Sequence, residues 1–153
     1  MLVDTGPLVA CLNKRDRFHG WAKAQLAQAE APLLTCEAVL AEACFLLRHL
    51  SGGSAAVLEL LARRVLEVPF RIEAHARSLG DLLSKYAEVP MSLADACLVR
   101  MSELHDTAVV WTLDGHFRLY RRHGRQVIAT LMPPACSTVD HRQLAAHGPT
   151  GRR

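Results

Sequence analysis

The sequence predicts an α/β protein of one domain, in which helices form layers on both faces of a mainly parallel central sheet, as a three-layer α/β/α sandwich. Short apolar segments rich in β-branched residues alternate with longer segments of helical periodicity, which is typical of a parallel sheet with helical connections. The chain has 153 residues, of which 50% are hydrophobic and 5% aromatic. This length and composition suit one domain with a core of aliphatic side chains.

The first half of the chain predicts two strands and four helices, bounded by turn and capping residues. Pro7 suits the start of a helix, Thr35 and Ser54 are predicted N-caps, and the Ser-Gly-Gly of residues 51–53 ends a helix. The predicted elements are a strand at residues 1–4, helices at 7–12 and 18–30, a strand at 32–35, and helices at 37–50 and 54–66.

The second half continues this alternation and ends in a segment of different composition. We predict a short strand at 67–68, helices at 73–87 and 92–104, a strand at 108–112, a loop with a short helix at 113–124, and a last strand at 126–131. Residues 132–153 are rich in Pro and Gly and are predicted to be a mobile C-terminal extension with a helical turn at 142–146. The folded domain is therefore expected to span residues 1–131.

Four acidic residues interrupt apolar segments, where folding alone would not place a charge: Asp4, Glu42, Asp95 and Asp114. Aspartate and glutamate are rarely buried unless they are paired, and the four apolar segments contain no Lys or Arg. Asp4 ends the first strand and Asp114 follows the strand at 108–112, and ligands of α/β proteins bind at the carboxyl ends of strands. If the four carboxylates converge, a divalent cation would offset their repulsion.

Three of these acids also have a purely structural interpretation. Asp4 could cap a helix, Asp95 completes a Ser-Leu-Ala-Asp capping box, and Asp114 belongs to an Asp-Gly turn dipeptide. Glu42 is the exception, because its neighbours at helical spacing are all apolar: Ala38, Val39, Phe45 and Leu46. This pattern predicts a carboxylate on a buried stripe, which needs a partner, a proton or a metal.

Taken together, the four acids predict a site for a hard divalent ion. Carboxylate oxygens favour Mg²⁺ or Mn²⁺, and such an ion can activate water and hold a phosphate during displacement. The five cysteines are irregularly spaced, with no C-x-x-C and no His pair of zincin spacing. These absences argue against a disulfide framework and against a zinc site.

The segments that carry the four acids resemble the PIN-domain signature. They are residues 4–10, Thr35 with residues 39–42, residues 92–96 and residues 112–117, in the same order as in that family. The resemblance implies a Mg²⁺- or Mn²⁺-dependent endoribonuclease whose catalytic metal ligands are Asp4, Glu42, Asp95 and Asp114. It also suggests that Thr5 or Thr112 adds a hydroxyl near the metal, whereas Gly6 replaces the Ser or Asn common at its position.

Among PIN domains, a chain of this size is most similar to the VapC toxins of bacterial and archaeal toxin–antitoxin pairs. That similarity implies a homodimer that is silenced by a small antitoxin protein covering the acidic cleft. We expect a cytoplasmic protein, because the sequence starts with a strand-like segment without a signal peptide. No apolar stretch approaches the roughly 20 residues of a membrane span.

Basic residues near two of the acids are predicted to contact the phosphate backbone of RNA. They are Arg15, Arg17, Arg118, Arg121, Arg122 and Arg125, in a chain of net charge +3. Such contacts would give affinity without sequence specificity, although the same arginines also fit a solvated helix face and a loop. Tyr120 or Trp21 could stack on an unpaired base, and Trp21 fits the core equally well.

Two other functions are compatible with the sequence. The first is a catalytically inactive PIN-like module that binds RNA or a protein, although an inactive scaffold has no need of four repelling carboxylates. The second is a phosphotransfer domain with a phosphate-accepting Asp at a strand end. That function usually requires a lysine at a later strand end, and Lys14 and Lys85 do not fit this placement.

Overall fold

The computed structural model describes residues 1–105 and 108–134, and a five-stranded parallel sheet forms its centre. The strands are β1 (Leu2–Val3), β2 (Leu33–Leu34), β3 (Leu66–Glu67), β4 (Val110–Trp111), β5 (Arg121–Arg122), β6 (Gln126–Val127) and β7 (Thr130–Leu131). The central sheet has the order β3-β2-β1-β4-β7, with every neighbouring pair parallel. The predicted α/β class with a mainly parallel sheet is confirmed.

Among the described residues, six α-helices flank this sheet and connect β1 to β2, β2 to β3 and β3 to β4, as parallel strands require. They are α1 (Thr5–Leu12), α2 (His19–Gln28), α3 (Glu37–Leu47), α4 (Gly53–Ala62), α5 (Ile72–Lys85) and α6 (Leu93–Leu104). One pair of helices follows each of β1, β2 and β3 along the chain. Within the described residues, no helix has the length and apolarity needed to cross a membrane.

The central strands are buried on both faces. Leu2 and Val3 in β1, and Val110 and Trp111 in β4, are each fully buried. Because successive strand residues point to opposite faces of a sheet, both faces of β1 and β4 must be covered. The indole of Trp111 meets that of Trp21 edge-on, with 6.3 Å between ring centroids.

Two of the predicted N-cap residues do not cap a helix in the structure. Helix α3 is capped by Cys36 rather than by Thr35, whose hydroxyl donates instead to the carbonyl of Val3 at 3.0 Å. Ser54 is not an N-cap either, since α4 starts at Gly53 and the Ser54 hydroxyl donates to the carbonyl of Cys44 at 3.2 Å. Each hydroxyl therefore donates to a carbonyl at least ten residues away in the chain, which a local sequence pattern does not include.

The predicted last strand at 126–131 is divided in the structure. Strand β6 pairs antiparallel with β5 in a separate hairpin, and only β7 joins the central sheet. The hairpin turn contains His123 and Gly124, which both have positive φ, at 46° and 77°. The arginine pair of β5 has no apolar alternation, so sequence periodicity did not predict a strand there. Residues 135–153 lie outside the described part of the chain, and the predicted extension and its helical turn stay predictions.

A matched pair of glycine substitutions tests the α3–α4 packing. A Cβ at Gly53 would lie 2.3 Å from the carbonyl oxygen of Leu47, whereas a Cβ at Gly80 in α5 meets nothing within 4 Å. We expect Gly53→Ala to lower the free energy of unfolding by about 1–3 kcal/mol through overpacking. Gly80→Ala should raise it by about 0.5–1 kcal/mol, because it stiffens the unfolded chain. Urea denaturation measures both, and a Gly53→Ala protein as stable as wild type would contradict this packing.

Candidate active site

The sheet topology brings two of the predicted site residues to one point. The chain moves from β1 towards β2 and β3 on one side, and later enters β4 on the other side of β1. The carboxyl ends of β1 and β4 therefore form the topological switch point at which α/β proteins bind ligands. Asp4 directly follows β1 and donates its backbone N–H to the Trp111 carbonyl of β4 at 3.0 Å. Asp114 follows β4 within three residues.

Thr112 connects the two acids at this point. Its hydroxyl donates to Oδ2 of Asp4 at 2.6 Å and accepts the backbone N–H of Asp114 at 2.9 Å. The other oxygen of Asp4, Oδ1, accepts the backbone N–H of Thr5 at 2.6 Å, so Asp4 is also the N-cap of α1. Asp4 and Thr112 are both buried. One hydroxyl thus fixes the ends of two strands relative to each other.

Glu42 approaches the same edge from α3. Its Oε2 accepts the hydroxyl of Thr5 at 3.0 Å. The predicted buried stripe around Glu42 is present only on its N-terminal side, where Val39 is buried, because Phe45 and Leu46 are 61% and 40% exposed and Glu42 itself is half-buried. Helical spacing identifies the residues that share a face, but it does not tell whether another element covers that face.

Asp95 is fixed by the first turn of α6. The predicted capping box is present: the amide of Ser92 donates to Asp95 Oδ2 at 2.9 Å, and the amide of Asp95 donates to Ser92 Oγ at 3.1 Å. The Tyr120 hydroxyl lies 3.5 Å from the same Oδ2, a long contact that no sequence signal identified. Tyr120 is fully buried, so the suggested stacking of this side chain on an RNA base is wrong.

The four acids interact electrostatically, and we call Asp4, Glu42, Asp95 and Asp114 the acidic cluster. Burial raises the pKa of Asp4 to about 7, and the charges of Asp95 and Asp114 add to this rise, while the Thr112 hydrogen bond opposes it. Burial likewise raises the pKa of Asp95 to about 6, with contributions from Asp114 and Glu42, against the hydrogen bond from Ser92. The sequence-separated carboxylates therefore lie close enough to disfavour one another's charge.

Few cations balance this negative charge. Across residues 1–105 and 108–134, no ion pair includes Asp4, Glu42 or Asp95. The Asp114 Oδ1 lies 2.8 Å from the Nδ1 of His116 and also accepts the backbone N–H of that residue at 2.9 Å. Unbalanced carboxylates beside hydroxyl oxygens are the donor set of a hard divalent ion.

The carboxylate oxygens of the acidic cluster are not arranged around a common centre. Among the described residues, no group of three or more His, Cys, Asp or Glu side chains is placed to hold a metal ion. Instead, their oxygens are engaged by the hydroxyls and amides of Thr5, Thr112 and Ser92. Rotation of these side chains would be needed to direct several oxygens at one ion. The residue types fit Mg²⁺ or Mn²⁺, and their present orientation is that of a hydrogen-bonded cluster.

The predicted RNA-binding arginines lie in three segments of the chain. Arg15 and Arg17 are exposed in the segment between α1 and α2, and Arg118 is exposed in a short 3-10 helix (Gly115–Arg118) just after Asp114. The β5–β6 hairpin carries the remaining ones: Arg121, Arg122 and Arg125. In the hairpin turn, the backbone N–H of His123 donates to Oε1 of Glu103 in α6 at 2.8 Å. Glu103 lies about 12 Å from Asp95 along the helix axis.

The raised pKa values predict that the metal-free protein loses stability as the pH rises. The folded pKa values of Asp4 and Asp95, about 7 and about 6, exceed the unfolded value of 3.8, so the folded state binds protons more tightly. The stabilisation that comes from this tighter proton binding is complete below pH 3.8 and is lost as the pH rises to about 7. For Asp4 it amounts to about 4 kcal/mol of unfolding free energy. We expect urea midpoints in EDTA to fall from about pH 5 to about pH 7.5. Asp4→Asn should flatten this dependence, and equal slopes in both proteins would contradict the assignment.

A second pair of variants tests the hydroxyl that joins β1 to β4. Thr112→Val keeps the branched shape but removes the donor to Asp4 and the acceptor for the Asp114 amide. We expect a loss of about 1–3 kcal/mol in unfolding free energy and a further rise in the pKa of Asp4, because this hydrogen bond lowers it. Thr112→Ser keeps the hydroxyl and should lose only about 0.8 kcal/mol in urea denaturation, from the missing buried methyl group. Equal stability of the Val and Ser variants would contradict this role.

Comparisons with known proteins agree with this architecture. The chain is similar to the crystal structure of VapC20 from Mycobacterium tuberculosis, described as a toxin that cleaves the sarcin–ricin loop. The two share 24% sequence identity, with a TM-score of 0.68, over 74% of this chain and 89% of that one. A comparison with curated proteins found no match. The family model of the PIN domain matches residues 1–122, and the chain therefore belongs to the PIN-domain family.

Proposed function

We propose that this protein is a Mg²⁺- or Mn²⁺-dependent endoribonuclease and the toxin of a VapBC-type toxin–antitoxin pair. In this proposal, the acidic cluster holds the metal and is the catalytic site. Membership of the PIN-domain family supports the reaction class. The fold shared with VapC20, a toxin by its description, supports the toxin assignment.

The observation that carries the proposal is the environment of Asp4. This carboxylate is buried beside Asp95 and Asp114, and its pKa rises to about 7. Such an arrangement is unfavourable for folding at neutral pH, since a buried carboxylate without a cation disfavours its own charged form. A divalent ion bound to the cluster would reverse that cost and would explain why the acids lie together.

The residues around the cluster have distinct roles in this proposal. Thr112 fixes Asp4 relative to Asp114, the Thr5 hydroxyl orients Glu42, and the Ser92 amide holds Asp95. When bound, the metal would polarise the phosphate and lower the pKa of a coordinated water. Thr5 and Thr112 are thus supporting hydroxyls that keep carboxylate oxygens at the mouth of the site.

RNA contacts are proposed for the arginines in the three segments described above. Their side chains fit phosphate recognition, because guanidinium groups bind phosphate oxygens without reading sequence. Arg118 is exposed in the turn that directly follows Asp114. The proposed contacts are with single-stranded RNA, with Arg15, Arg17, Arg121, Arg122 and Arg125 as the more distant members.

The similarity to VapC toxins also supports proposals about partners and organisation. We propose a cytoplasmic homodimer whose acidic cluster is covered by a small antitoxin protein. The nuclease domain would span residues 1–131, with residues 132–153 as a C-terminal extension; the family match ends at residue 122.

A cleavage assay tests the proposed activity. Purified protein should cleave RNA with Mg²⁺ or Mn²⁺, and EDTA should abolish the reaction. Asp4→Asn and Asp95→Asn should each reduce the rate by at least about a hundredfold, since even residues that only support metal ligands contribute 10–100-fold. Asp81→Asn is the matched control, because Asp81 is an exposed acid on α5 outside the acidic cluster.

Four outcomes would reject this function. Cleavage that persists in EDTA, or that survives both replacements in the acidic cluster, would exclude metal-dependent catalysis by these residues. Folded protein that binds RNA tightly without metal and never cleaves it would identify an inactive binding module. A trapped phospho-aspartate would identify a phosphotransfer domain instead.

A further inference from the structure

A shallow open depression, which we call the groove, lies on the solvent side of α3 and includes Glu42 of the acidic cluster. Ala41, Glu42, Phe45 and Leu46 line it, and its volume is about 350 Å³. The exposed lining is almost entirely apolar, and the phenyl ring of Phe45 is 61% exposed. The proposed metal ligands and arginine contacts with RNA do not include this exposed aromatic ring.

The Phe45 ring is held in place by its neighbour Arg48. The guanidinium carbon of Arg48 lies 3.8 Å from the ring centroid, and its Nη1 donates to the Phe45 carbonyl at 2.6 Å. A cation over a ring face is favourable, and this contact restricts both side chains before any ligand binds. A restricted aromatic side chain loses little conformational entropy on binding.

The groove is continuous with the acidic cluster through Glu42. Glu42 lines the groove while its Oε2 accepts the Thr5 hydroxyl at the carboxyl edge of the sheet. Side chains of a helix lean towards its N-terminus, and α3 begins at that edge, directly after β2. Phe45 therefore leans towards Glu42, from which it is about 4.5 Å away along the helix axis.

We propose that the groove on α3 binds one unpaired nucleobase of an RNA strand whose phosphate is held at the acidic cluster. This inference rests on the proposed function and adds a substrate requirement to it: the nucleotide next to the cleaved bond must be unstacked and single-stranded. Exposed aromatic rings and guanidinium planes are the groups on which single-stranded RNA bases stack. Stacking of this kind tolerates any base, because every base has a π face.

Size, charge and position favour a nucleobase over a protein segment. The groove is at the small end of ligand pockets, which span about 300–1,000 Å³, and the side chains that line it belong to α3 alone. Arg48 places a positive charge beside the apolar ring, which complements a strand of phosphates. A helix of a protein partner would instead require a longer apolar surface.

Binding measurements with matched probes test the base site. Fluorescence anisotropy with Ca²⁺ in place of Mg²⁺ gives the Kd for a short single-stranded RNA and for an abasic ribose-phosphate strand of the same length. We expect Phe45→Ala to weaken RNA binding by about fivefold or more while leaving the abasic strand within about twofold. Phe45→Trp should retain RNA affinity. Leu58→Ala is the control, because Leu58 is an apolar residue of α4 that is 57% exposed and lies outside the groove.

Several results would overturn this inference. Wild-type protein that does not prefer RNA to the abasic strand has no base site, and equal Kd values for wild type and Phe45→Ala exclude Phe45 from it. A Phe45→Ala protein that changes oligomeric state in gel filtration and keeps its RNA affinity would identify a protein interface. The cleavage assay separates the two proposals: a wild type that cleaves RNA while Phe45→Ala has no effect on binding rejects only the base site. A base-dependent effect without any cleavage by wild type rejects only the nuclease.

Discussion

The burial of Asp4 against Asp95 and Asp114 is the constraint on which the rest of this site depends. Two features lower its energetic cost, the Thr112 hydroxyl and the Thr5 amide, and both donate hydrogen bonds that favour the charged form of Asp4. These two hydrogen bonds do not offset the energetic cost of burying the charge, because the pKa of Asp4 still rises to about 7. Folding alone would favour an apolar residue here, and the proposed divalent ion would supply the positive charge that this carboxylate lacks.

The structural and functional interpretations of these acids are not alternatives. Asp4 is the N-cap of α1, and Asp95 closes the capping box of α6. Helix N-termini stabilise negative charge through their free amides and the helix dipole. The same contacts also fix where each carboxylate sits, at the edge where β1 and β4 end. Capping is therefore the means by which this fold holds repelling carboxylates close together.

The exposed face of α3 differs from the buried stripe that the sequence pattern predicts. Glu42 shares a helix face with Phe45 and Leu46, and this face is open to solvent rather than packed in the core. In the proposed function and base site, this apolar surface would contact a base while the acidic cluster, through a metal, engages the adjacent phosphate.

The sequence by itself determined the alternation of strands and helices, the parallel α/β class and the capping box of Ser92 and Asp95. These features depend on residues a few positions apart, whose periodicity and hydrogen bonding can be read locally. Only the tertiary structure decided that Thr112 bonds Asp4 across 108 positions, that Tyr120 is buried, and that β5 and β6 form a separate hairpin. Such contacts follow from strand order and from which faces are covered, and both are set by the packing of the whole chain.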